Sequence, residues 1–149
     1  MDDYMQMQVE NLIMRINEDP FWLSNKSESI RSNKTMMLKV LEGLNDDSSQ
    51  FFLNYLYENL TNDKEVVLAC VKKSGMNLQY ASEHIKNDKE IVFAAITNNS
   101  NATIYIGKNL KQDIAGRDPF NYFELYFLQE RLQKIVPNKV ENNNNKNKI

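Results

Sequence analysis

The chain has 149 residues, of which 42% are hydrophobic and 26% are charged, and its formal net charge is -2. This composition is typical of one soluble globular domain. The near-neutral charge gives no bulk attraction to nucleic acid or to an anionic membrane. One cysteine and one histidine cannot form an internal disulfide or a zinc site of the usual Cys/His type. Four glycines and three prolines leave few helix breakers, which favours helices.

The N-terminal segment predicts an amphipathic helix over residues 3–17. Its apolar face consists of Met5, Val9, Leu12, Ile13 and Ile16. No basic stretch followed by an apolar run is visible there, and no apolar run in the sequence is long enough to span a bilayer. We therefore expect a cytoplasmic protein that makes no membrane contact.

A 25-residue repeat occupies the middle of the chain. Residues 62–71 align with residues 87–96, and the register continues, so the two regular copies cover residues 62–86 and 87–111. A further copy, at residues 32–61, carries a five-residue insertion between its halves. Repetition at a fixed period predicts similar structural units packed side by side.

Each copy predicts a helical hairpin. Asn62 with Glu65, and Asn87 with Glu90, have the N-cap and N3 spacing of a capping box at the start of a first helix. Gly75 predicts the end of that helix in its copy. A shorter second helix then presents Leu78, Ala81 and Ile85.

The first helices of the copies share one apolar stripe, at positions i, i+1, i+4 and i+5. The stripe consists of Met36, Met37, Val40 and Leu41, then of Val66, Val67, Cys70 and Val71, and then of Ile91, Val92, Ala95 and Ile96. A hairpin of this size cannot bury its stripe alone. We therefore expect an all-α fold of stacked helical hairpins with flanking N- and C-terminal helices.

Two short windows, residues 51–57 and 120–127, contain nine of the fifteen aromatic residues. The second window follows an Asp-Pro pair, which is typical of a helix start, and so does the aromatic pair Phe21-Trp22. A helix that is apolar on both faces is either central in a core or covered by a partner. Both interpretations stay open: these segments fill the core of a bundle, or they form an exposed docking or dimer surface.

The helix predicted at residues 119–136 provides the first-choice docking residues. Helical spacing groups the bundle-facing residues as Phe120, Phe123, Phe127 and Ile135. Tyr122 and Tyr126, together with Gln129, then point away from the bundle. Tyrosine is common at interface hot spots. The docking candidates are therefore Tyr122 and Tyr126, followed by Phe21, Trp22 and Tyr57.

The C-terminal segment has a different composition from the rest of the chain. Residues 137–149 are rich in Asn and Lys and lack the apolar residues that would offset the entropy of ordering. We predict a disordered tail there. The remaining residues, 1–136, are expected to form a single all-helical domain.

The repeat also resembles a known family. Asn-Asp-Lys-Glu and two hydrophobic residues occur at residues 62–67, Leu-x-Tyr-Ala-Ser follows at residues 78–82, and Asn-Asp-Lys-Glu returns at residues 87–90. Over about residues 62–113, motif and period are similar to the tandem repeats catalogued as domain of unknown function 4116. The resemblance implies no activity and no catalytic residue. It implies an interaction module of a kind found in giant viruses, amoebal protists and secreted effectors of intracellular bacteria, and with it delivery into a host cell without a signal peptide.

No residue type or spacing indicates a catalytic, cofactor-binding or metal site. Cys70 lies on the predicted buried stripe, and His84 has no acid-base partner at a recognisable spacing. Asp46 and Asp47 are expected to cap a helix, because no calcium-loop spacing follows them. The four glycines are too far apart for a phosphate-binding loop, and the basic pair of one copy does not recur in the next, which argues against an RNA-binding face.

The sequence therefore predicts a non-catalytic protein-protein interaction module that binds no cofactor and no nucleic acid. We expect an effector-type regulator or inhibitor of a partner enzyme. The alternative is a structural homo-oligomer, formed as a dimer through the aromatic C-terminal helix. A third class, an enzyme, would require a clustered polar site that the sequence does not indicate.

Overall fold

The computed structural model describes residues 3–135, and every regular element in this range is helical. The α-helices, in chain order, are α1 (Asp3–Glu18), α2 (Glu28–Arg31), α3 (Lys34–Gly43), α4 (Asp46–Ser49), α5 (Glu58–Thr61), α6 (Lys64–Lys73), α7 (Lys89–Asn98), α8 (Lys108–Ile114) and α9 (Pro119–Ile135). The 3-10 helices are Pro20–Asn25, Phe52–Tyr55, Gly75–Tyr80, Ile85–Asn87 and Ser100–Tyr105. The predicted all-α fold is confirmed for this range, and the tail predicted at residues 137–149 lies outside the described residues.

The longer helices pack in the order in which they follow along the chain. Helix α1 packs on α3, α3 on α6, α6 on α7, and α7 on α9. Their buried hydrophobic side chains belong to one connected core cluster. Helices α6 and α7 are therefore central in this series, and α1 and α9 lie at its two ends.

The apolar stripes predicted for the three repeat copies are confirmed. In α3, α6 and α7, the buried side chains are the four at the predicted positions in each helix. On α1, Val9, Leu12 and Ile16 are buried, while Met5 and Ile13 are partly buried and pack against the core. The spacing of apolar residues therefore identifies the core-facing side of each of these helices.

The helix caps differ from the prediction by one position. Asp63 and Asp88, rather than Asn62 and Asn87, are the N-caps of α6 and α7. In both caps one carboxylate oxygen accepts the backbone N–H groups of the second and third helical residues, at 3.0 and 3.1 Å. The two asparagines instead accept hydrogen bonds from later segments of the chain. The predicted capping box is therefore wrong, because the shift moves the glutamates from the third helical position to the second.

The second half of the regular hairpin is also different from the prediction. The segment after α6 forms two 3-10 helices, Gly75–Tyr80 and Ile85–Asn87, with Ala81 in an extended conformation between them. Pieces this short favour i to i+3 hydrogen bonds over an α-helix, whose first turn is costly to nucleate. Leu78, Ala81 and Ile85 are nevertheless buried, as predicted.

Lysines at the first position of α3 and α6 link each helix to the next. Lys34 Nζ lies 2.8 Å from both Asp63 Oδ2 and Glu65 Oε2. Lys64 Nζ bridges the equivalent carboxylates at the start of α7, at 2.8 and 3.0 Å. These bridges are partly exposed, so each one contributes little by itself. They join the N-terminal ends of α3, α6 and α7.

Protonation of the two cap aspartates should destabilise the fold in acid. Burial alone would raise the pKa of Asp63 and Asp88, but hydrogen bonds from a lysine and from backbone N–H groups outweigh it, so both pKa values are lowered. Such a carboxyl stabilises the fold above its unfolded pKa of about 4, and the contribution is lost as pH falls through the lower folded pKa. Asp63→Asn/Asp88→Asn should lower Tm at neutral pH and lose less stability than wild type below about pH 4. Melting curves followed by circular dichroism measure both, and equal acid losses in the two proteins would contradict this account.

One buried polar side chain joins three segments of the fold. Asn77 is fully buried, and its Oδ1 accepts the N–H of Leu53 at 3.0 Å. Its Nδ2 donates to the carbonyl of Ser49 at 2.8 Å and to those of Cys70 and Ser74 at 3.2 Å. The repeat comparison gave no indication of this role, because the next copy has an alanine at the equivalent position.

Candidate protein-docking site

Helix α9 is held to the rest of the fold by an aromatic cluster. The ring of Phe93 on α7 contacts the rings of Phe120, Phe123 and Phe127, at centroid distances of 5.8, 5.9 and 5.3 Å. Rings at these separations attract one another beyond their burial alone. Of the 17 residues in α9, Phe123 alone is buried. The helix is therefore attached along one side, and residues 3–135 leave most of its surface uncovered.

Tyr122 and Tyr126 lie beside this cluster, under cationic side chains. Lys89 Nζ lies 3.9 Å from the ring centroid of Tyr126 and 6.0 Å from that of Tyr122, and Arg117 Cζ lies 5.7 Å from the Tyr122 ring. The Tyr126 hydroxyl donates to Glu130 Oε1 at 3.0 Å. Both tyrosines are half-buried. Tyr122 packs against the core, so the prediction that it points away from the bundle is wrong. Tyr126 is held through one ring face by the Lys89 cation.

A different side of α9 carries four exposed aliphatic residues, which we call the leucine face. The leucine face consists of Leu125, Leu128, Leu132 and Ile135, with exposed fractions of 59%, 43%, 51% and 73%. Steps of three, four and three residues place them on one stripe of the helix, at the a and d positions of a heptad. This contiguous apolar surface has no covering element among residues 3–135.

A second group of aromatic residues lies near the N-terminal end of the helix series and includes Phe21, Trp22 and Tyr57. Phe21 is 68% exposed and rests edge-on against Tyr55, with a centroid distance of 5.9 Å. Arg31 Nη1 donates to the Tyr55 carbonyl at 3.4 Å, and Arg31 Cζ lies 5.6 Å from the ring of Tyr57. A lysine Nζ lies 3.5 Å from the ring centroid of Trp22. Trp22 and Tyr57 are thus half-buried, and Phe21 is the exposed member of this group.

The structure therefore divides the five predicted docking residues between two places. Tyr122 and Tyr126 lie at the α9 end of the fold. Of the other three, Phe21 contacts Tyr55, Trp22 contacts Lys26 and Tyr57 contacts Arg31. Their role in docking stays a prediction. None of the five belongs to the leucine face.

The aromatic windows of the sequence do not indicate the leucine face, because its residues are aliphatic. Helical spacing predicts Ile135 on the bundle side, but it is 73% exposed, so that prediction is wrong. Phe120 is also 41% exposed, although it contacts Phe93. The signal that could have identified the face was the a and d spacing of its aliphatic residues.

The residues examined in the sequence for a catalytic or metal-binding role are Cys70, His84, Asp46 and Asp47. Cys70 is fully buried, and burial raises the pKa of its thiol to about 12, so the thiol is protonated at neutral pH. His84 is exposed and lines an open groove. Asp46 and Asp47 lie in the first turn of α4, whose N-cap is Asn45, so the capping role predicted for the aspartates is wrong by one residue. Within residues 3–135, no group of His, Cys, Asp or Glu side chains is placed to hold a metal ion, and no helix is long and apolar enough to cross a membrane.

The matched family model covers the regular repeat copies. Residues 63–111 match the family described as Domain of unknown function (DUF4116), which confirms the resemblance that the repeat motifs predicted. The match covers about one third of the chain and ends before α9 begins. No curated protein and no solved structure matches the chain. The leucine face therefore lies outside the segment that the family model describes.

Proposed function

We propose that this protein is a non-catalytic protein-protein interaction module whose docking site is the leucine face of α9. The proposal depends on one observation: four large aliphatic side chains are exposed along one stripe of a helix whose aromatic side is already packed. Fully burying one such side chain is worth about 1.5–3 kcal/mol. A partner that presents an apolar helix stripe of its own would recover much of this free energy.

The remainder of the fold serves in this proposal as the scaffold for α9. Backbone hydrogen bonds at equivalent positions, from Ser82 N to the Thr61 carbonyl at 3.0 Å and from Gly107 N to the Lys86 carbonyl at 2.7 Å, join successive repeat copies. The lysine bridges at the starts of α3 and α6 join the same copies. We therefore regard residues 32–111 as three stacked helical repeats. Helix α9 then lies at the end of the stack, where residues 3–135 leave one of its sides open to a partner.

Binding through one surface is sufficient for an effector-type regulator or inhibitor of a partner enzyme. A protein that covers part of the enzyme can change its activity without catalysing a reaction itself. The distribution of reactive groups supports such a role over catalysis. The Cys70 thiol is buried and protonated, and the carboxylates of Asp63 and Asp88 accept the hydrogen bonds of helix caps.

Substitution in the leucine face should weaken partner binding without unfolding the protein. Leu128→Gln/Leu132→Gln changes the middle of the face, where the side chains are 43% and 51% exposed, so the cost to folding should be small. We expect affinity for a partner held there to fall at least ~30-fold, or about 2 kcal/mol. Titration calorimetry with the protein captured from host and source-cell lysates measures the change.

A matched pair on α1 provides the control for this experiment. Met7 and Met14 are 59% and 49% exposed at the other end of the helix series. Met7→Gln/Met14→Gln should bind like wild type, and both double variants should keep the wild-type Tm within a few degrees. Equal weakening by the two variants, or unchanged binding by the leucine-face variant, would contradict the proposed docking site.

A structural homo-oligomer is the second candidate function, favoured by the heptad spacing of the leucine face. In that case the partner is α9 of another copy. Sedimentation of the purified chain distinguishes the two candidates, since a tight dimer at low concentration would favour the structural role.

A further inference from the structure

We infer that the leucine face, when no partner is bound, pairs in parallel with the leucine face of a second copy, forming a reversible dimer that opens for a partner. This inference rests on the proposed function, because it names an occupant for the same face. The two-fold axis of the dimer would run along α9. An interface of this kind uses the same patch on both subunits, which is the commonest arrangement among homo-oligomers.

The spacing of the residues in the leucine face allows the face to pack against the same face of a second copy. Leu125 and Leu132 occupy a positions, and Leu128 and Ile135 occupy d positions, over two successive heptads. Such a stripe is a ridge of side chains on a helix, so its complement is another helix with the same spacing rather than an extended peptide. In a parallel pair each of the four residues packs in a layer with its equivalent from the second copy.

The charges beside the face favour the parallel direction. Glu124 and Arg131 are exposed at g positions, and Gln129 is exposed at an e position. In a parallel pair, a g residue lies beside the e residue of the next heptad in the other helix. Glu124 then lies beside Gln129 of the second copy, and no like charges meet. An antiparallel pair that kept all four aliphatic layers would place the two Arg131 side chains close together, which is repulsive.

The size of the face indicates a dimer that dissociates readily. Its exposed fractions add up to slightly more than two fully exposed aliphatic side chains per copy. At on the order of 100 Å² for each side chain, the face offers roughly 230 Å² of apolar surface. Stable interfaces bury about 800 Å² per partner. We therefore expect a dissociation constant in the micromolar range, weak enough for a partner with a longer helix to displace the second copy.

Single cysteines on the leucine face test the pairing and its direction. Leu125→Cys, Leu128→Cys and Leu132→Cys are each made in the full chain and oxidised with oxidised glutathione. The native Cys70 is buried and should not react. Parallel pairing predicts that each variant alone forms a disulfide-linked dimer. Ile104→Cys is the control: Ile104 is 63% exposed but lies outside the face, so this variant should form no disulfide-linked dimer.

Three outcomes would overturn the inference. The first is efficient crosslinking of Ile104→Cys, and the second is crosslinking only in a mixture of Leu125→Cys with Ile135→Cys, which is the antiparallel pair. The third is a wild-type chain that sediments as a monomer at ~1 mM, well above the dissociation range expected from an interface this small. A monomer whose partner binding still requires Leu128 and Leu132 would overturn the dimer alone. A parallel dimer whose Leu128→Gln/Leu132→Gln variant binds the partner like wild type would overturn the proposed docking site instead.

Discussion

Val67→Asp should unfold the protein. Val67 is fully buried on α6, which packs between α3 and α7. A carboxylate at this position would lose its water without gaining a partner, and we expect the free energy of unfolding to fall by at least ~4 kcal/mol. Single domains have about 5–15 kcal/mol in total, so little would remain. Urea and thermal unfolding measure the loss, and a Tm within a few degrees of wild type would contradict the central position of α6.

Cys70→Ala is the matched mild change on the same stripe. Cys70 is also fully buried, but the substitution removes one sulfur atom and introduces no charge. We expect a loss of about 1 kcal/mol and unchanged partner binding, because a small cavity is the main consequence. Loss of binding at an unchanged Tm would show that the thiol has a functional role.

Asn77→Leu should be the most destabilising change of a polar residue in the fold. The leucine would fill a similar volume but would leave the N–H of Leu53 without its acceptor. The carbonyls of Ser49, Cys70 and Ser74 would lose a donor at the same time. The Cys70 and Ser74 carbonyls keep a backbone donor, whereas the Leu53 N–H and the Ser49 carbonyl lose theirs. At about 1–3 kcal/mol for each unpaired buried group, we expect a loss of about 2–5 kcal/mol in unfolding free energy.

The same substitution at an exposed asparagine controls for the change of residue type. Asn101 is exposed in the 3-10 helix Ser100–Tyr105. Asn101→Leu should change the unfolding free energy by less than about 0.5 kcal/mol. Similar losses in the two variants would mean that the Asn77 hydrogen bonds do not hold the segments together.

The periodic spacing of apolar residues predicted the core, because residues at helical spacing lie on the one side of each helix that packs against its neighbours. The stripe that contains Val67 and Cys70, and its equivalents in α3 and α7, are buried at every predicted position. The caps were displaced because Asn62 and Asp63 are both good N-cap residues, and adjacent candidates of this kind differ little in free energy. Asn77 could not be predicted, because its partners lie in segments that the sequence does not show to be adjacent.

The sequence indicates that α9 is an apolar helix, but it did not lead to the leucine face. Aromatic density pointed to α9, and the structure does leave much of that helix exposed. The orientation of Tyr126 depends on Lys89, a residue of another helix, so the spacing within α9 alone could not determine it. The leucine face could be identified from the heptad spacing of Leu125, Leu128 and Leu132 alone, and the sequence contains that spacing.

Methyl NMR of a chain labelled at its leucine and isoleucine side chains tests the docking role of α9 most directly. The spectra are recorded as the concentration of the chain is raised, and again as the captured partner is added. We predict shifts centred on the leucine face residues Leu125, Leu128, Leu132 and Ile135, with Ile104 unchanged. Shifts centred on Ile104, or a leucine face that stays unchanged while the partner binds, would contradict the assignment of α9 as the docking surface.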